Sequence, residues 1–372
     1  MDNPGLKKIS DLLENGVKER VFPGAVLLVA AGKQILLIKE AGTLSTAGSP
    51  EKVSKKSIYD IASLTKPMAA ALALMGLTDK GIISLDRPVT ELVPLPGGGN
   101  KKDITPRLLL NHSAGLPAWK PYYPELVKYP PERRKHALRN MIMKEELIYP
   151  PGKGSLYSDL GFMMLEWIIE NCSGKTMEKY LTDEYYNPLG LEDTFFCHRE
   201  APVIKKNIAA TEDCPWRKRI IQGEVHDENA FASGGYSGHA GLFSNIYDLF
   251  KIADMLRNHY NSNRSDLFKP ETVREFFRKQ DIAAGSTWAL GWDTPSAEGS
   301  SSGKYFSKNS VGHLGFTGTS IWMDLDREIL VILLSNRVHL SRENIKIRSF
   351  RPELHNTVME AITDVKQKPD SV

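Results

Sequence analysis

Cysteine is scarce in this chain: there are three in 372 residues, Cys172, Cys197 and Cys214, far apart and odd in number. Neither a disulfide framework nor a C-x-x-C metal site can be built from them, and a reducing cytoplasm is the expected setting unless a leader precedes the chain. Long apolar runs are missing too. Nothing approaches the roughly 20 residues that cross a bilayer, so no membrane span is expected. The stretch Met1 to Lys8 runs into an amphipathic pattern at Ile9, Leu12, Leu13 and Val17 instead of the apolar core of a signal peptide. No charge of one sign dominates, since 48 Lys and Arg against 45 Asp and Glu leave +3. The short clusters Arg133-Arg134-Lys135 and Arg217-Lys218-Arg219 read as solvated faces, and no nucleic-acid partner is expected. Absent motifs exclude more. Without G-x-S-x-G there is no nucleophile elbow of an α/β-hydrolase. Without H-E-x-x-H or comparable spacing no metal is expected, and His226-Asp227-Glu228 reads as a loop stabiliser.

What remains is an ordinary globular composition, 41% hydrophobic and 25% charged, long enough for one large domain or two interleaved ones. After an N-terminal helix, Ala25 to Ala31 and Ile35 to Glu40 flank Gly32-Lys33 and read as a hairpin. Near the other end, Ser286 to Trp292, Tyr305-Phe306, Ser320 to Leu325 and Ile329 to Leu334 read as strands, with a turn at Asp326-Arg327 and a closing helix from Glu353 to Val365. The middle has helical periodicity at Gly161 to Glu170, Met177 to Tyr185, Tyr247 to Arg257 and Glu271 to Arg278. The expectation is an α/β (α+β) fold whose central antiparallel sheet is flanked by N- and C-terminal helices. Residues 1–80 and 285–372 would form the discontinuous sheet domain, 81–284 an inserted, mostly helical one, with the active site at their interface.

The pattern S-x-x-K occurs three times, at Ser49/Lys52, Ser63/Lys66 and Ser301/Lys304. By itself it is an N-cap serine with an incidental lysine. Context singles out Ser63: an extended run, Ile58 to Ala62, precedes it, and an apolar helix, Pro67 to Met75, follows. Ser301 lies in the flexible run Ser300-Ser301-Ser302-Gly303 with no helix after it. On a helix, positions i and i+3 share a face, so the Lys66 amine reaches the Ser63 hydroxyl. Two further motifs carry polar groups suited to the same chemistry. Tyr157-Ser158-Asp159 ends a Pro- and Gly-rich loop, where a tyrosine near cations can shuttle protons and Asp159 is the expected N-cap of the next helix. In His313-Leu314-Gly315-Phe316-Thr317-Gly318 the glycines would admit a substrate to a strand edge, and the Phe316 backbone N–H would complete an oxyanion hole with that of Ser63.

Ser63-Leu64-Thr65-Lys66, Tyr157-Ser158-Asp159 and His313-Leu314-Gly315, in this order, resemble the active-site elements of the class C beta-lactamase-like serine hydrolases. That family includes D-alanyl-D-alanine peptidases and family VIII carboxylesterases. The resemblance extends to Leu108 to Leu116 and to Gly238 to Ser244, which look like its structural signatures. It implies the α/β plus helical layout already read, no cofactor, a small-molecule ester or amide as partner, and an acyl-enzyme on Ser63. Lys66 would be the activating partner and Tyr157 the shuttle to the leaving group. Two departures stand out: the penicillin-directed members usually carry Asn at Asp159 and Lys at His313. A carboxylate near Lys66 favours its ammonium, which makes Lys66 the organiser of a Tyr157 base. A histidine at 313, mostly neutral at pH 7, weakens selection for a substrate carboxylate and points to short-chain or neutral esters. The alternatives are a D-alanyl-D-alanine carboxypeptidase or weak beta-lactamase, or an idle binding or scaffold protein. Trp119 and Tyr123, with Trp288 and Trp292, could line an acyl pocket or simply pack. The oligomeric state stays open.

Overall fold

A computed structural model describes residues 4–48, 51–94, 99–201 and 207–366. Five antiparallel strands form its central sheet: β1 (Gly24–Ala31), β2 (Gln34–Gly42), β3 (Ser310–Leu314), β4 (Ser320–Asp324) and β5 (Ile329–Ser335), in the order β2-β1-β5-β4-β3. The two chain ends meet in its middle, where Ala25 pairs with Ser335 and Ala31 with Ile329. Alternation along the strands splits the apolar side chains into two layers. Leu27, Val29, Val331 and Leu333 pack on one side with the terminal helices α1 (Pro4–Lys18) and α5 (Ile347–Lys366). Val26, Leu28, Leu330 and Ile332 pack on the other side against the helical middle. Because both faces are covered, β1 and β5 read as continuous apolar runs, which is why the sequence showed them so clearly.

The Ser63 segment opens with a tight turn at 62–64, widens into i→i+5 turns over Lys66–Ala71 and continues as α2 (Leu72–Asp79). Pro67, which has no N–H to give, lies in this first stretch, and every residue from Lys66 to Leu77 is buried. The other expected helices appear within a few residues of their predicted limits, including α3 (Asp159–Ser173) and α4 (Ile246–Tyr260).

Three expectations are corrected. Ser286 to Trp292 is not a strand: Gly291 turns at φ +80, where a Cβ would meet that of Ala71 at 2.6 Å, and only isolated bridges form on either side. Tyr305-Phe306 lies outside the strands as well, and the edge strand is Ser310–Leu314, whose mixed residues gave no apolar run. The closing helix starts at Ile347, ahead of Pro352, held there by the Arg351 guanidinium on the carbonyls of Gly315 and Thr319. The basic clusters are also less solvated than expected. Arg134 and Arg217 are largely buried and donate to backbone carbonyls, while Lys135 pairs with Glu166 and Glu170. Cys172, Cys197 and Cys214 form no disulfide among the described residues. Among the described residues no helix is long and apolar enough to cross a membrane.

Candidate active site

The approach to Ser63 is set by Asp60. Tyr59 and Asp60 pair with Ser244 and Phe243, and the Asp60 carboxylate accepts the N–H groups of Ala62 at 2.8 Å and His226 at 2.7 Å. The first of these bonds supports Ala62 at φ +48, an uncommon conformation for a residue with a Cβ. The chain therefore turns sharply into the helix and presents Ser63 on its first turn. Lys66, one turn on, is wholly buried. Its Nζ donates to Ser63 Oγ at 3.1 Å, to Asp159 Oδ1 at 2.7 Å and to the His239 carbonyl at 3.4 Å.

Asp159 is free for that contact because it is not the N-cap. Ser158 has the extended cap conformation and its Oγ accepts the Gly161 N–H, which leaves Asp159 as the first helical residue with its carboxylate turned to Lys66. The expected cap was displaced by its neighbour. The Ser158 hydroxyl meanwhile donates to the Pro117 carbonyl at 2.6 Å, tying the tyrosine loop to the chain at 117.

The electrostatic consequences are specific. Burial works against the Lys66 ammonium, but the charges and hydrogen bonds of Asp159 and Tyr157 outweigh it and raise the lysine pKa. Burial also raises the Tyr157 pKa, and Asp159 adds to this, while Lys66 and a hydrogen bond with Ser63 pull the other way. At neutral pH the lysine is charged and the phenol protonated. Lys66 Nζ stands 4.6 Å from the centre of the Tyr157 ring, whose other contacts are His112 at 4.5 Å, Trp288 at 5.5 Å and His313 at 6.1 Å. His112 is fixed by accepting the Ser158 N–H on Nδ1.

His313 lies on β3, where it pairs with Ile321. Its Nδ1–H donates to the Leu314 carbonyl, and burial drives its pKa down to about 3. The neutral ring thus keeps Nε2 as a bare acceptor without a protein partner among the described residues. Gly315 serves packing more than substrate access: a Cβ there would meet Thr319 Oγ1 at 2.0 Å and the Ile61 carbonyl at 2.6 Å, so only glycine lets this strand end seat against the turn that leads into Ser63. Phe316 follows, about half exposed, and its N–H donates to no protein acceptor among the described residues.

Two cavities meet at Ser63, Tyr157 and Phe316. The first, about 310 Å³, is walled by Trp119, Asp159, Asp227, Glu228 and His239. The second, about 410 Å³, is walled by Trp288, His313, Gly315, Arg337, Arg348 and Arg351. Of the sequence-derived candidates, Ser63, Lys66, Tyr157, Asp159, His313, Gly315, Phe316 and Trp119 come together here. Tyr123 does not: its ring packs on Trp216 at 4.6 Å, and it borders neither cavity. Trp292 is buried against Phe277. Ser301 accepts from Trp322 far from this centre, and Ser49 lies outside the described residues.

The sequence reading assigned no site role to Asp227, Glu228, His239, Arg337 or Arg351. Only the Gly238 to Ser244 motif carried a signal, and it read as structural. His226-Asp227-Glu228 does hold loops, with Asp227 capping the helix at 228–233 and Glu228 pairing with Arg342 at 2.6 Å. Asp227 also pairs with His239 at 2.9 Å, and Asp159, Asp227 and His239 are the group among the described residues that could hold a cation.

The sequence matches the family model described as Beta-lactamase over residues 9–351. It is 31% identical over 379 residues to a Salmonella typhimurium protein named "Putative D-alanyl-D-alanine carboxypeptidase", covering 93% of this chain and 86% of that one. It is 33% identical over 365 residues to "N-acetylmuramyl-L-alanine amidase" of Bacillus subtilis, covering 90% and 81%. Among solved structures, EstCE1, described as a hydrolase with promiscuous acyltransferase activity, aligns with a TM-score of 0.71 at 18% identity, over 94% of this chain and 99% of its own. At that identity the likeness is one of fold.

Proposed function

As the chain belongs to the beta-lactamase family, we propose that it is a serine hydrolase that cleaves carboxylic esters and amides through an acyl-enzyme on Ser63. One observation carries this reading: a fully buried, charged Lys66 bonded at once to Ser63 Oγ and Asp159, beneath a nucleophile that faces two cavities. Tyr157, a phenol at rest, acts after losing its proton to solvent: Ser63 Oγ attacks the carbonyl carbon and its proton passes to the phenolate oxygen, the form that the Lys66 charge favours. The N–H groups of Ser63 and Phe316 receive the developing oxyanion. Tyr157 then gives the proton to the leaving oxygen or nitrogen as its bond to carbon breaks. Water repeats the sequence on the acyl-enzyme, with Tyr157 taking the water proton and Ser63 leaving as the hydroxyl.

The second cavity bears on the substrate. His313 is neutral there, which by itself supports neutral short-chain esters. The same wall, however, carries Arg337, Arg348 and Arg351, none paired with a carboxylate among the described residues, and buried Arg351 keeps Nε without a partner. Asp293 on that wall is tied to Thr287 and Thr294. The balance is cationic, so the favoured leaving group bears a carboxylate, as in a carboxypeptidase. A carboxylesterase for neutral esters is the second reading. The test is a phenyl ester against its meta-carboxyphenyl analogue with the same acyl group, beside Ser63→Ala and Arg348→Met. Ser63→Ala should abolish both reactions and labelling by an activated phosphonate. The carboxyl compound should be preferred at least tenfold in kcat/KM, with Arg348→Met erasing the preference. A preference for the neutral ester would put the esterase first, and an active Ser63→Ala would end the proposal.

A further inference from the structure

We propose that Arg351 strengthens the oxyanion hole from behind: its guanidinium polarises the peptide between Gly315 and Phe316 and so makes the Phe316 N–H a better donor to the tetrahedral intermediate. Arg351 is then a positioning residue, acting through that amide and not on the reacting atoms. This rests on Ser63 being the nucleophile and on the Phe316 N–H receiving the oxyanion.

Arg351 lies near the start of α5 and is 6% exposed. Its Nη2 donates to the Gly315 carbonyl at 2.9 Å and to the Thr319 carbonyl at 2.7 Å. The first of these oxygens belongs to the same amide as the Phe316 nitrogen. Neither oxygen needs this donor, because Gly315 O already accepts the Gly318 N–H at 3.1 Å and Thr319 O the Gly315 N–H at 2.7 Å. A neutral side chain could tether the helix as well, and a buried charge is costly to desolvate. The usual compensation is missing. No carboxylate pairs with Arg351 among the described residues, and the charged group that acts on it is a second cation, Arg337. A charge kept there without a counter-charge calls for a task that only charge performs.

A trans peptide sets its carbonyl and its N–H in opposite directions. The guanidinium therefore stands on one side of the amide and the oxyanion on the other. A hydrogen bond to the carbonyl oxygen draws electron density from the nitrogen, so the N–H becomes more positive, as in any chain of mutually polarising hydrogen bonds. The 2.9 Å bond to Gly315 O, an amide O-to-N span of about 2.3 Å and a further bond of about 2.9 Å put the charge roughly 8 Å from the oxyanion. At an effective dielectric near 20 this corresponds to about 30-fold in rate. Phe316 is also held from its other side. Arg337 Nε donates to the Phe316 carbonyl at 2.9 Å, and its guanidinium carbon stands 4.7 Å from the centre of the Phe316 ring. The donor is thus both polarised and fixed before the substrate arrives.

Arg351 also borders the second cavity, so the test must separate the field at the oxyanion from contact with a leaving group. It uses p-nitrophenyl acetate, a neutral ester, with wild type, Arg351→Lys and Arg351→Gln. Stopped-flow release of p-nitrophenol measures acylation, and loss of the acetyl group from the loaded enzyme measures deacylation. Both steps form an oxyanion in the same hole, but the leaving group is absent from the second. Arg351→Gln, which keeps a donor without the charge, should slow both steps about 30-fold. Arg351→Lys, which keeps the charge, should run at least tenfold faster than Arg351→Gln in both. A loss confined to acylation would make Arg351 a leaving-group contact and overturn the proposal. Equal losses in the two variants would reduce it to a tether, and no loss in either would leave it without effect; both results overturn the proposal. Should Arg351→Gln fail to fold, Arg351→Met replaces it, and failure of both neutral variants to fold would make the residue structural and overturn the proposal as well. All these outcomes spare the hydrolase reading. A wild type that neither turns over the ester nor is labelled at Ser63 by a phosphonate overturns both.

Discussion

Asp159→Asn probes the charge arrangement beneath the nucleophile. At 2.7 Å and an effective dielectric near 20, the Lys66–Asp159 attraction is about 6 kcal/mol. The amide keeps an acceptor, and a hydrogen bond from a charged donor returns about 1.5–3 kcal/mol. A net loss of about 3–4.5 kcal/mol follows, in keeping with the roughly 3–5 kcal/mol cost of removing one partner of a buried pair. Unfolding entropy of about 2.1 cal/mol/K per residue makes this about 4–6 °C in Tm at pH 7 for 372 residues. The sign with pH is fixed by Lys66. Its folded pKa is raised, so its contribution is complete below the unfolded value near 10.4 and vanishes as pH climbs through the folded one. The gap between wild type and variant therefore narrows above about pH 10. Catalysis should respond in the opposite sense. The Asp159 charge raises both Lys66 and Tyr157, so without it whichever group takes the Ser63 proton is in its basic form at lower pH. The rising limb of kcat/KM against pH therefore moves to lower pH. Thermal melts from pH 6 to 11 and initial rates with an activated ester measure both effects. An unchanged Tm with an unmoved limb would refute the charged-lysine arrangement.

Tyr157→Phe should lower kcat about 10²- to 10⁴-fold with little change in KM, as expected for loss of a proton carrier; steady-state kinetics will separate this from a binding defect, which would raise KM instead. Gly315→Ala forces a Cβ against Thr319 Oγ1 and the Ile61 carbonyl, and should cost about 1–3 kcal/mol in urea unfolding while slowing acylation through a displaced Phe316 N–H. His313 binds its proton near pH 3 when folded and near 6.5 when unfolded, so its contribution to stability falls as pH drops below 6.5. Between pH 7 and 5 this amounts to about 2 kcal/mol, and His313→Gln should lose that much less over the same interval. Equal acid sensitivity of the two proteins would show that His313 is not held neutral.

Much of the fold was written in local pattern. β1 and β5 are apolar throughout because helices cover both faces of the sheet, and the nucleophile helix is apolar on every side because it crosses the core. Ser63 and Lys66 are bound by i,i+3 spacing, which needs no distant contact. Strand β3 escaped notice for the opposite reason: Ser-Val-Gly-His-Leu carries no apolar run, and what makes it a strand is its pairing with β4. The sequence pointed to Asp159 as the cap, and the buried Lys66 amine, 93 positions away, takes its carboxylate and leaves the cap to Ser158. The neutrality of His313 needed its burial, and the charges of the two cavities needed segments around residues 119, 159, 227, 239, 337 and 351 to converge. Sequence determines what depends on neighbours one turn or two residues away. The electrostatic character of the site depends on desolvation and on groups far apart in the chain, and only the tertiary structure sets those.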